Sequence, residues 1–290
     1  MTRRPEVLAV GAIALLLLPP GTLAKSSGPL DVSATAKGRE LAAAAAARPS
    51  KHGFRVDASD LRVWVLGPGD YLVATSLPKN LKTTTETNAE GQITFGLSYD
   101  IDARPDRRQV PRPAPAAVAT SPAWTYVSQA CFHRVGSLYG WLDSCYRIDS
   151  LKYESDPRDF YKLEQYGTVG TSYFGKIYSG FLEGARSSGS APMAWIDWSP
   201  RGSRSGSCTT LPLSVSALGI PFVSSVTACE HYNIHKHPAA GHFKVEWSCG
   251  CVYPFGQPYP NTRELDYLQA VSVANGGFAQ WSISVGFLAR

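Results

Sequence analysis

All six cysteines of this 290-residue chain lie between Cys131 and Cys251. An even number of cysteines in an exported protein indicates a framework of disulfide bonds. Disulfides restrict the folds that a chain can adopt, because the two Cα atoms of each bonded pair must lie within about 7 Å of one another. We therefore expect the cysteine-containing segment to be the part of the protein that covalent cross-links hold together.

Two of the three bonds can be predicted from symmetry about turns. Cys131 and Cys145 flank one predicted turn evenly, and Cys208 and Cys229 flank the Leu218-Gly219 turn evenly. In each case the two cysteines would face each other across an antiparallel hairpin, where opposed Cα atoms are roughly 4.5–5.5 Å apart. Closing a loop of about 15 residues contributes roughly 3 kcal/mol in the chain-entropy account of disulfides.

The remaining two cysteines are Cys249 and Cys251, separated only by Gly250. A bond between them closes a tight ring that is easily reduced, and the glycine gives the backbone freedom that this ring needs. A second arrangement stays open, because a hairpin over 229–250 would bring Cys229 close to both of them. The sequence predicts structural bonds here but leaves this pairing undecided.

The first 24 residues have the three parts of a secretory signal peptide. A basic head, Met1–Arg4, precedes an apolar run from Val7 to Leu18, and small residues lead to a cleavage position after Ala24. The apolar run is about 12 residues long, whereas a membrane-spanning helix needs roughly 20. We therefore predict residues 1–24 to be a signal peptide and the protein to be secreted, with no transmembrane segment.

The rest of the chain divides by composition into four segments. Residues 25–52 are a flexible, alanine-rich lead-in, 53–103 a small β unit, 104–122 a Pro/Arg-rich linker, and 123–290 the disulfide-linked β domain. The lead-in is helix-prone but has almost no large apolar face to bury. Proline lacks an amide donor and fixes its own backbone angle, so the linker is not expected to join a helix or sheet.

Alternation of apolar and polar residues predicts a mainly β fold. In the final segment, Trp281, Ile283, Val285 and Phe287 would share one face of a strand. Consecutive strands joined by short turns favour an antiparallel meander, either a sandwich or a barrel, stapled by disulfides. The predicted strands are 60–66, 71–75, 93–99, 124–135, 141–152, 158–166, 171–183, 192–198, 208–217, 220–236, 242–248, 264–274 and 279–288.

Four of the six histidines fall in one short run: His231, His235, His237 and His242. On a regular strand the first three would share one face, and Tyr232 would lie on the other. Neutral imidazoles at this spacing can bind zinc or another divalent transition metal. The alternatives are a solvated polar face and a pH-sensitive surface.

A second candidate site is the segment Trp195 to Arg201. Trp195 and Asp197 would share a strand face, Trp198 follows them, and Arg201 opens a flexible basic loop. Tryptophans beside charged groups can stack on sugars or lie at a membrane interface. The alternative is that these tryptophans belong to the core of the sheet.

Sequence motifs for catalysis are weak. The chain has no Gly-x-Ser-x-Gly elbow, no His-Glu-x-x-His and no phosphate-binding glycine loop. The acidic residues Asp143, Glu154, Asp197 and Glu246 could supply a glycosidase pair, which needs two carboxyl groups roughly 5–9.5 Å apart. Solvated or salt-bridged carboxylates are the commoner interpretation, and no catalytic residue can be assigned.

The C-terminal segment contains the motifs Trp195-x-Asp-Trp-Ser-Pro200, Cys208-Thr-Thr210, Cys229, and Phe243 with Trp247. Together these motifs resemble those of uncharacterised secreted proteins of high-GC Gram-positive bacteria. The resemblance covers only the C-terminal domain. It implies a secreted bacterial protein and implies no activity.

We therefore expect a secreted, non-enzymatic β domain that binds a cell-surface or carbohydrate ligand. A metal-dependent or carbohydrate-active enzyme is the first alternative, and a membrane-active toxin, suggested by the alternating serine-rich strands, is the second. The net charge of +5 is scattered along the chain, so we expect no nucleic-acid partner.

Overall fold

The computed structural model describes residues 28–47, 56–104, 123–136, 139–152, 156–171, 177–228, 231–249 and 262–289. The predicted signal peptide, all of the linker except Arg104, and two of the cysteines, Cys229 and Cys251, lie outside the described residues.

One α-helix, one short 3₁₀ helix and sixteen strands make up the elements of the described residues. The helices are α1 (Ala36–Ala46) and the 3₁₀ turn Ala58–Asp60. The strands before the linker are β1 (Leu30–Asp31), β2 (Arg62–Gly67), β3 (Asp70–Ala74), β4 (Lys79–Thr87) and β5 (Ile93–Asp102). Those after it are β6 (Thr125–Gly136), β7 (Gly140–Leu151), β8 (Arg158–Thr171), β9 (Ile177–Arg186), β10 (Ala194–Ser199), β11 (Thr209–Ala217), β12 (Ile220–Ala228), β13 (His231–Lys236), β14 (Phe243–Ser248), β15 (Thr262–Ala274) and β16 (Gln280–Ala289).

The strands form two large antiparallel sheets and one separate hairpin. Sheet A has the order β1-β2-β3-β6-β7-β8-β15-β10, and sheet B has the order β13-β14-β9-β16-β5-β4. The β11–β12 hairpin pairs with neither of them. The predicted mainly β, antiparallel fold is therefore confirmed, in a sandwich-like arrangement.

One apolar core lies between the two sheets. Phe132, Leu163 and Leu265 contribute to it from sheet A, and Val245 and Val285 from sheet B. The predicted alternation of the last strand is confirmed, because its four apolar residues are buried while the serines between them are partly exposed. Two inner faces of alternating residues are what a face-to-face packing of sheets requires.

Two features of the strands differ from the sequence prediction. Residues 220–236 are not one strand, since β12 belongs to the hairpin and β13 to sheet B. Strand β4 was not predicted at all. Its threonine-rich sequence is mostly exposed, so it lacks the alternation that marks a half-buried strand.

The sequence-based boundary at the linker separates strands that pair with one another. Strand β3 pairs with β6, through partners such as Val73 and His133. Strand β5 pairs with β16 along its whole length, from Asp102 opposite Gln280 to Ile93 opposite Ala289. Residues from both sides of the linker therefore build the same two sheets.

The alanine-rich lead-in contains α1, which packs on the outer side of sheet A. The Thr35 hydroxyl accepts a bond from the Gly38 amide and caps the helix. Leu41 and the neighbouring alanine are buried against Val63 and Val73. The helix thus uses a narrow apolar face, centred on one leucine, that composition alone did not reveal.

The predicted Cys131–Cys145 disulfide is present, and the two residues are directly opposed in the β6–β7 hairpin. Cys208 and Cys249 each take part in a disulfide bond as well. The predicted Cys208–Cys229 bond stays a prediction, and the pairing among Cys229, Cys249 and Cys251 stays open, because Cys229 and Cys251 lie outside the described residues.

The side chain of Arg134 in β6 is buried between the sheets and bonds to strands of both. Its Nε and Nη2 atoms donate to the Asp70 carboxylate at 3.0 and 2.6 Å. Its Nη1 atom donates to the carbonyl oxygens of Thr84, at 2.9 Å, and Gly96, and Nη2 also donates to the Thr85 hydroxyl at 2.7 Å. Asp70 begins β3 in sheet A, and the other partners lie in β4 and β5 of sheet B. One guanidinium therefore ties the two sheets together.

Replacing this guanidinium should weaken the whole fold. We expect Arg134→Met to lower the free energy of unfolding by about 3–5 kcal/mol, because the Asp70 carboxylate, which is only 17 % exposed, loses its charged partner. The free energy of unfolding of Arg134→Lys should lie between those of the wild type and Arg134→Met, since an ammonium keeps the charge but not the forked donor geometry. Urea denaturation followed by tryptophan fluorescence measures both. A loss below about 1 kcal/mol for Arg134→Met would contradict this role.

The β11–β12 hairpin forms a third layer on the outer face of sheet A. Its apolar residues Leu213 and Val215 pack against Leu268 of β15. The predicted turn is confirmed, with Leu218 and Gly219 at φ values of 52° and 78°. Two consecutive positive φ angles are typical of a tight two-residue hairpin turn. The alternation of this segment is therefore explained by packing of one face against the sheet.

Beneath the hairpin, Lys162 of β8 is completely buried. Its Nζ atom lies 2.7 Å from the Asp149 carboxylate and 2.8 Å from the centre of the Phe222 ring. Burial lowers the pKa of Lys162 from 10.5 to about 8, against the attraction of Asp149. The docked hairpin therefore keeps water away from the Lys162 ammonium group, although water would stabilise its charged form.

The lowered pKa of Lys162 predicts a pH dependence of stability. Between pH 8 and 10.5 the unfolded chain holds this proton more tightly than the folded chain, so the contribution of Lys162 to stability improves as pH rises through that window. Below pH 8 both the folded and the unfolded chain hold this proton, and burying the charged Lys162 then costs its full amount, about 3 kcal/mol.

Lys162→Met isolates this contribution, because Asp149 keeps its 2.9 Å ion pair with Arg147. We expect the stability of the variant to lack the wild-type rise between pH 8 and 9.5, as measured by urea denaturation at each pH. The comparison stops below pH 10, since burial raises the pKa of Tyr166 above its usual 10.0 and gives a slope of the opposite sign. Identical pH profiles would contradict the prediction.

Candidate functional site

A β-bulge in β10 determines which side chains of the Trp195 to Arg201 segment lie together. Trp195 is opposite Val271, and Asp197 is opposite Ala270, the adjacent residue of β15. Neighbouring residues of a strand point to opposite faces, and the extra residue, Ile196, reverses the alternation of β10. The prediction that Trp195 and Asp197 share a face is therefore wrong.

The two tryptophans lie together on the side of the central core. The ring centres of Trp195 and Trp198 are 5.9 Å apart, in an edge-to-face arrangement. Trp195 is also 6.4 Å from Phe243 of β14 and donates from its indole nitrogen to the His237 carbonyl at 3.2 Å. These contacts join the outer strand of sheet A to the outer hairpin of sheet B.

Two cations lie over the tryptophan rings. The Lys236 Nζ atom is 4.4 Å from the ring centre of Trp198 and 4.9 Å from that of Trp195. The Arg201 guanidinium carbon is 4.3 Å from the Trp198 ring centre. Each such contact is worth about 0.5–2 kcal/mol, depending on exposure. We call these four residues, Trp195, Trp198, Arg201 and Lys236, the aromatic–cation patch.

Asp197 points away from the tryptophans and anchors two neighbouring segments, the β11–β12 hairpin and the loop at Arg201. Its carboxylate accepts from the amides of Trp198, at 2.9 Å, and Ser216, at 2.7 Å, and from the Arg201 guanidinium. Ser216 belongs to β11, so this one carboxylate fixes both the hairpin and the position of Arg201. Of the predicted ligand-binding residues, the structure brings Trp195, Trp198 and Arg201 together and gives Asp197 a supporting place behind them.

The patch carries net positive charge. The Arg201 guanidinium, whose side chain is 61 % exposed, shares its charge with Asp197. Lys236 forms no ion pair with any described residue. An ammonium held over aromatic rings remains available to a negatively charged group, because the rings satisfy its charge only in part.

The predicted alternation of the histidine run is confirmed within β13, which ends at Lys236, just before His237. Tyr232 is fully buried, while His231 and His235 are exposed. The other two histidines of the run, His237 and His242, lie next to each other, and their rings stack with centres 4.9 Å apart.

Both charged neighbours of the histidines are glutamates of sheet B. His235 Nε2 is 2.9 Å from Glu246, and His242 Nε2 is 2.6 Å from Glu183. Burial raises the pKa of Glu246, but the hydrogen bonds and charges of Lys244 and His235 outweigh it and hold that pKa below its usual value. His235 and His242 thus have separate acidic partners.

Within the described ranges, no group of three or more His, Cys, Asp or Glu side chains is arranged to hold a metal ion. His231 is opposite Ser248 at one end of β13, whereas His235 is opposite Lys244 near the other end. Separation along the strand, at about 3.3 Å per residue, keeps His231 away from the other three. The hypothesis of a site formed by all four histidines therefore gains no geometric support.

The candidate carboxylates do not form a catalytic pair among the described residues. Asp143 of β7 contacts His133 Nδ1 across the sheet, Asp197 bonds to the hairpin, and Glu246 bonds to Lys244 and His235. Glu154 lies outside the described residues. Three carboxylates on β7, β10 and β14 each have a cationic or amide partner of their own.

Three neighbours of the candidate residues are not predicted by the sequence: Lys236 and Phe243 beside the tryptophans, and Glu183 beside His242. Lys236 and Phe243 are opposite each other on β13 and β14, 35 or more positions along the chain from the tryptophans. Nothing local in the sequence connects them. Lys236 does share the parity of the buried Tyr232, and a lysine on an apolar face was the available signal that it contacts aromatic rings.

No protein-family model matches the chain, and no curated protein matches it in sequence. Among the residues that the structure describes, no helix has the length and apolarity needed to cross a membrane.

Removing the Asp197 carboxylate should loosen the hairpin before it affects the sandwich. We expect Asp197→Ala to cost about 1–3 kcal/mol, because the Ser216 amide loses a partly buried hydrogen bond to a charged acceptor. Hydrogen exchange should then accelerate at Ser216 and along β11. Ser199→Ala, which removes only the 3.1 Å bond from the Ser214 amide, is the matched control and should have a smaller effect. Unchanged exchange at Ser216 would contradict the anchoring role.

Proposed function

We propose that this protein is a secreted, non-enzymatic β domain whose aromatic–cation patch binds an anionic ligand on a cell surface. The observation that carries the proposal is the placement of Lys236 and Arg201 over the Trp198 ring, at 4.4 and 4.3 Å. Because both cations are held against the same ring, each has a fixed place beside Trp198 where it can meet a negatively charged group.

The support comes first from the cost of holding the cations in place. Long basic side chains on a surface normally lose conformational entropy when they bind. Here the Trp198 ring, the Trp195 ring and the Asp197 carboxylate already restrict them. A preorganised site loses less freedom on binding and so retains more of its contact energy.

The ligand class follows from the chemistry of the patch. Carboxylate, sulfate and phosphate groups are complementary to a guanidinium and an ammonium. Indole edges next to these cations offer an apolar surface of the kind that contacts sugar rings. We therefore favour acidic polysaccharides of a cell surface over neutral glycans.

The enzymatic alternatives have less support. A glycosidase requires two carboxyl groups that flank the scissile bond, and the described candidates lie on separate strands with separate partners. The membrane-active alternative was suggested by the alternation of β11 and β12, whose apolar face packs on sheet A.

The experiment measures binding to two immobilised polysaccharides, heparin as a highly sulfated probe and dextran as a neutral one. We expect salt-sensitive binding to heparin and none to dextran. Lys236→Gln and Arg201→Gln should each weaken heparin binding roughly 3–10-fold, as the loss of one charge contact worth about 1 kcal/mol implies.

Lys37→Gln is the matched control, because Lys37 is an exposed cation of α1 with the same charge change. It should leave heparin binding unchanged. Equal loss of binding in the control and the patch variants would show that net charge alone is responsible. Equal binding of dextran and heparin would contradict the anionic specificity.

A further inference from the structure

Three of the four edges of the two sheets end in a very short strand or contact a neighbouring segment. At one edge of sheet A, β1 pairs with β2, and the Val32 amide donates to Val63. At the other edge, β10 side chains accept from β11 amides. In sheet B, the outer edge of β13 forms a bridge between Arg204 and Tyr232. A very short edge strand and contacts of this kind limit the pairing of an edge with other chains.

The fourth edge is β4, and its outward backbone groups have no partner among the described residues. The Asn88 amide donates to the Gln92 carbonyl in the turn that joins β4 to β5. Hydrogen-bonded pairs alternate along an antiparallel ladder. The even-numbered residues Thr84 and Glu86 therefore direct their backbone groups to β5, and the odd-numbered residues 83–87 direct theirs outward.

The side chains of β4 alternate as well. Leu81 packs against the central core, and Thr85 bonds to the buried Arg134. The even-numbered Lys82 and Glu86 consequently lie on the outer face of sheet B, where both are exposed. Neither forms an ion pair with any described residue.

We propose that a second copy of this chain pairs with the free edge of β4, antiparallel and about a two-fold axis at Thr84. In this register Thr83 is opposite Thr85 of the second copy, and Lys82 is opposite Glu86. The two-fold axis repeats each pair, so both lysines meet glutamates. Opposed threonines and opposed opposite charges are favourable cross-strand pairs.

The charges specify this register among its neighbours. A two-residue shift in one direction places Lys82 opposite Thr84, and a shift in the other direction places it opposite Asn88. Among these registers, only the one centred on Thr84 pairs Lys82 with Glu86; the third charged residue of β4, Lys79, lies beside Asp102. The sequence of β4 is thus complementary to itself, which an isologous interface requires.

The edge is also held rigidly enough to serve as a template. Arg134 bonds to the Thr84 carbonyl at 2.9 Å and to the Thr85 hydroxyl at 2.7 Å, which fixes the centre of the strand from inside. The register shift between Lys79 and Lys82 limits the regular part of the strand at one end. A short edge of this kind buries less than about 1,000 Å², so the dimer should be weak and in equilibrium with the monomer.

The experiment is sedimentation velocity of the full secreted chain over a roughly hundredfold range of concentration, from micromolar upward. We expect the weight-average mass to rise from that of a monomer towards that of a dimer. Lys82→Glu and Glu86→Lys should each raise the dissociation constant at least tenfold, since each creates two repulsive pairs. The double variant Lys82→Glu/Glu86→Lys should restore it to within about threefold.

Thr83→Pro provides a variant that acts through the backbone. Its outward amide is not part of the β4–β5 ladder, so proline there should abolish dimerisation while thermal unfolding changes little. Lys37→Glu, on α1, is the charge-reversal control and should dimerise as the wild type does. A chain that stays monomeric at the highest concentration overturns the proposal. So does a dimer that none of the β4 variants weakens, or single charge variants that the double variant does not rescue.

Discussion

The joining of the two sheets depends on one buried guanidinium. Burying a charge is costly unless every donor finds an acceptor, and Arg134 meets this condition with a carboxylate, two carbonyl oxygens and a hydroxyl. Its guanidinium carbon also lies 3.9 Å from the centre of the Phe95 ring. Because these partners belong to β3, β4 and β5, the side chain sets the separation and register of both sheets at one edge. The outermost strand, β4, has few apolar residues to hold it, and this contact adds to the β4–β5 ladder that positions it.

Much of the sheet structure could be predicted because burial on one face leaves a period of two in the sequence. This is clear for β16, whose four large apolar residues are buried. It fails for β4, which is exposed and therefore carries no such period. It also fails between β12 and β13, where the alternation continues through a change of sheet. Periodicity reports which residues are buried, and it contains no information about which strand is the neighbour.

The candidate site was predictable to the extent that its members are close in sequence. Trp198 and Arg201 were identified together because they are three residues apart. The β-bulge at Ile196 reversed the expected place of Asp197, and no residue in the segment signals a bulge. Lys236 reaches the tryptophans only because sheets A and B end at the same side of the sandwich. A site assembled between two sheets depends on packing, which the sequence of either strand alone does not express.

The pairing of strands across the linker has a consequence for the integrity of the molecule. Cutting the chain anywhere between Arg104 and Ala123 would break none of the strand ladders formed by the described residues. The two pieces would still share the β3–β6 and β5–β16 ladders, the Arg134 contacts and one core. Such a nicked protein should migrate as two bands in denaturing gels and as one particle in native buffer. In this sense the N-terminal piece is a complementing fragment, and the covalent link to the rest of the chain mainly sets its local concentration.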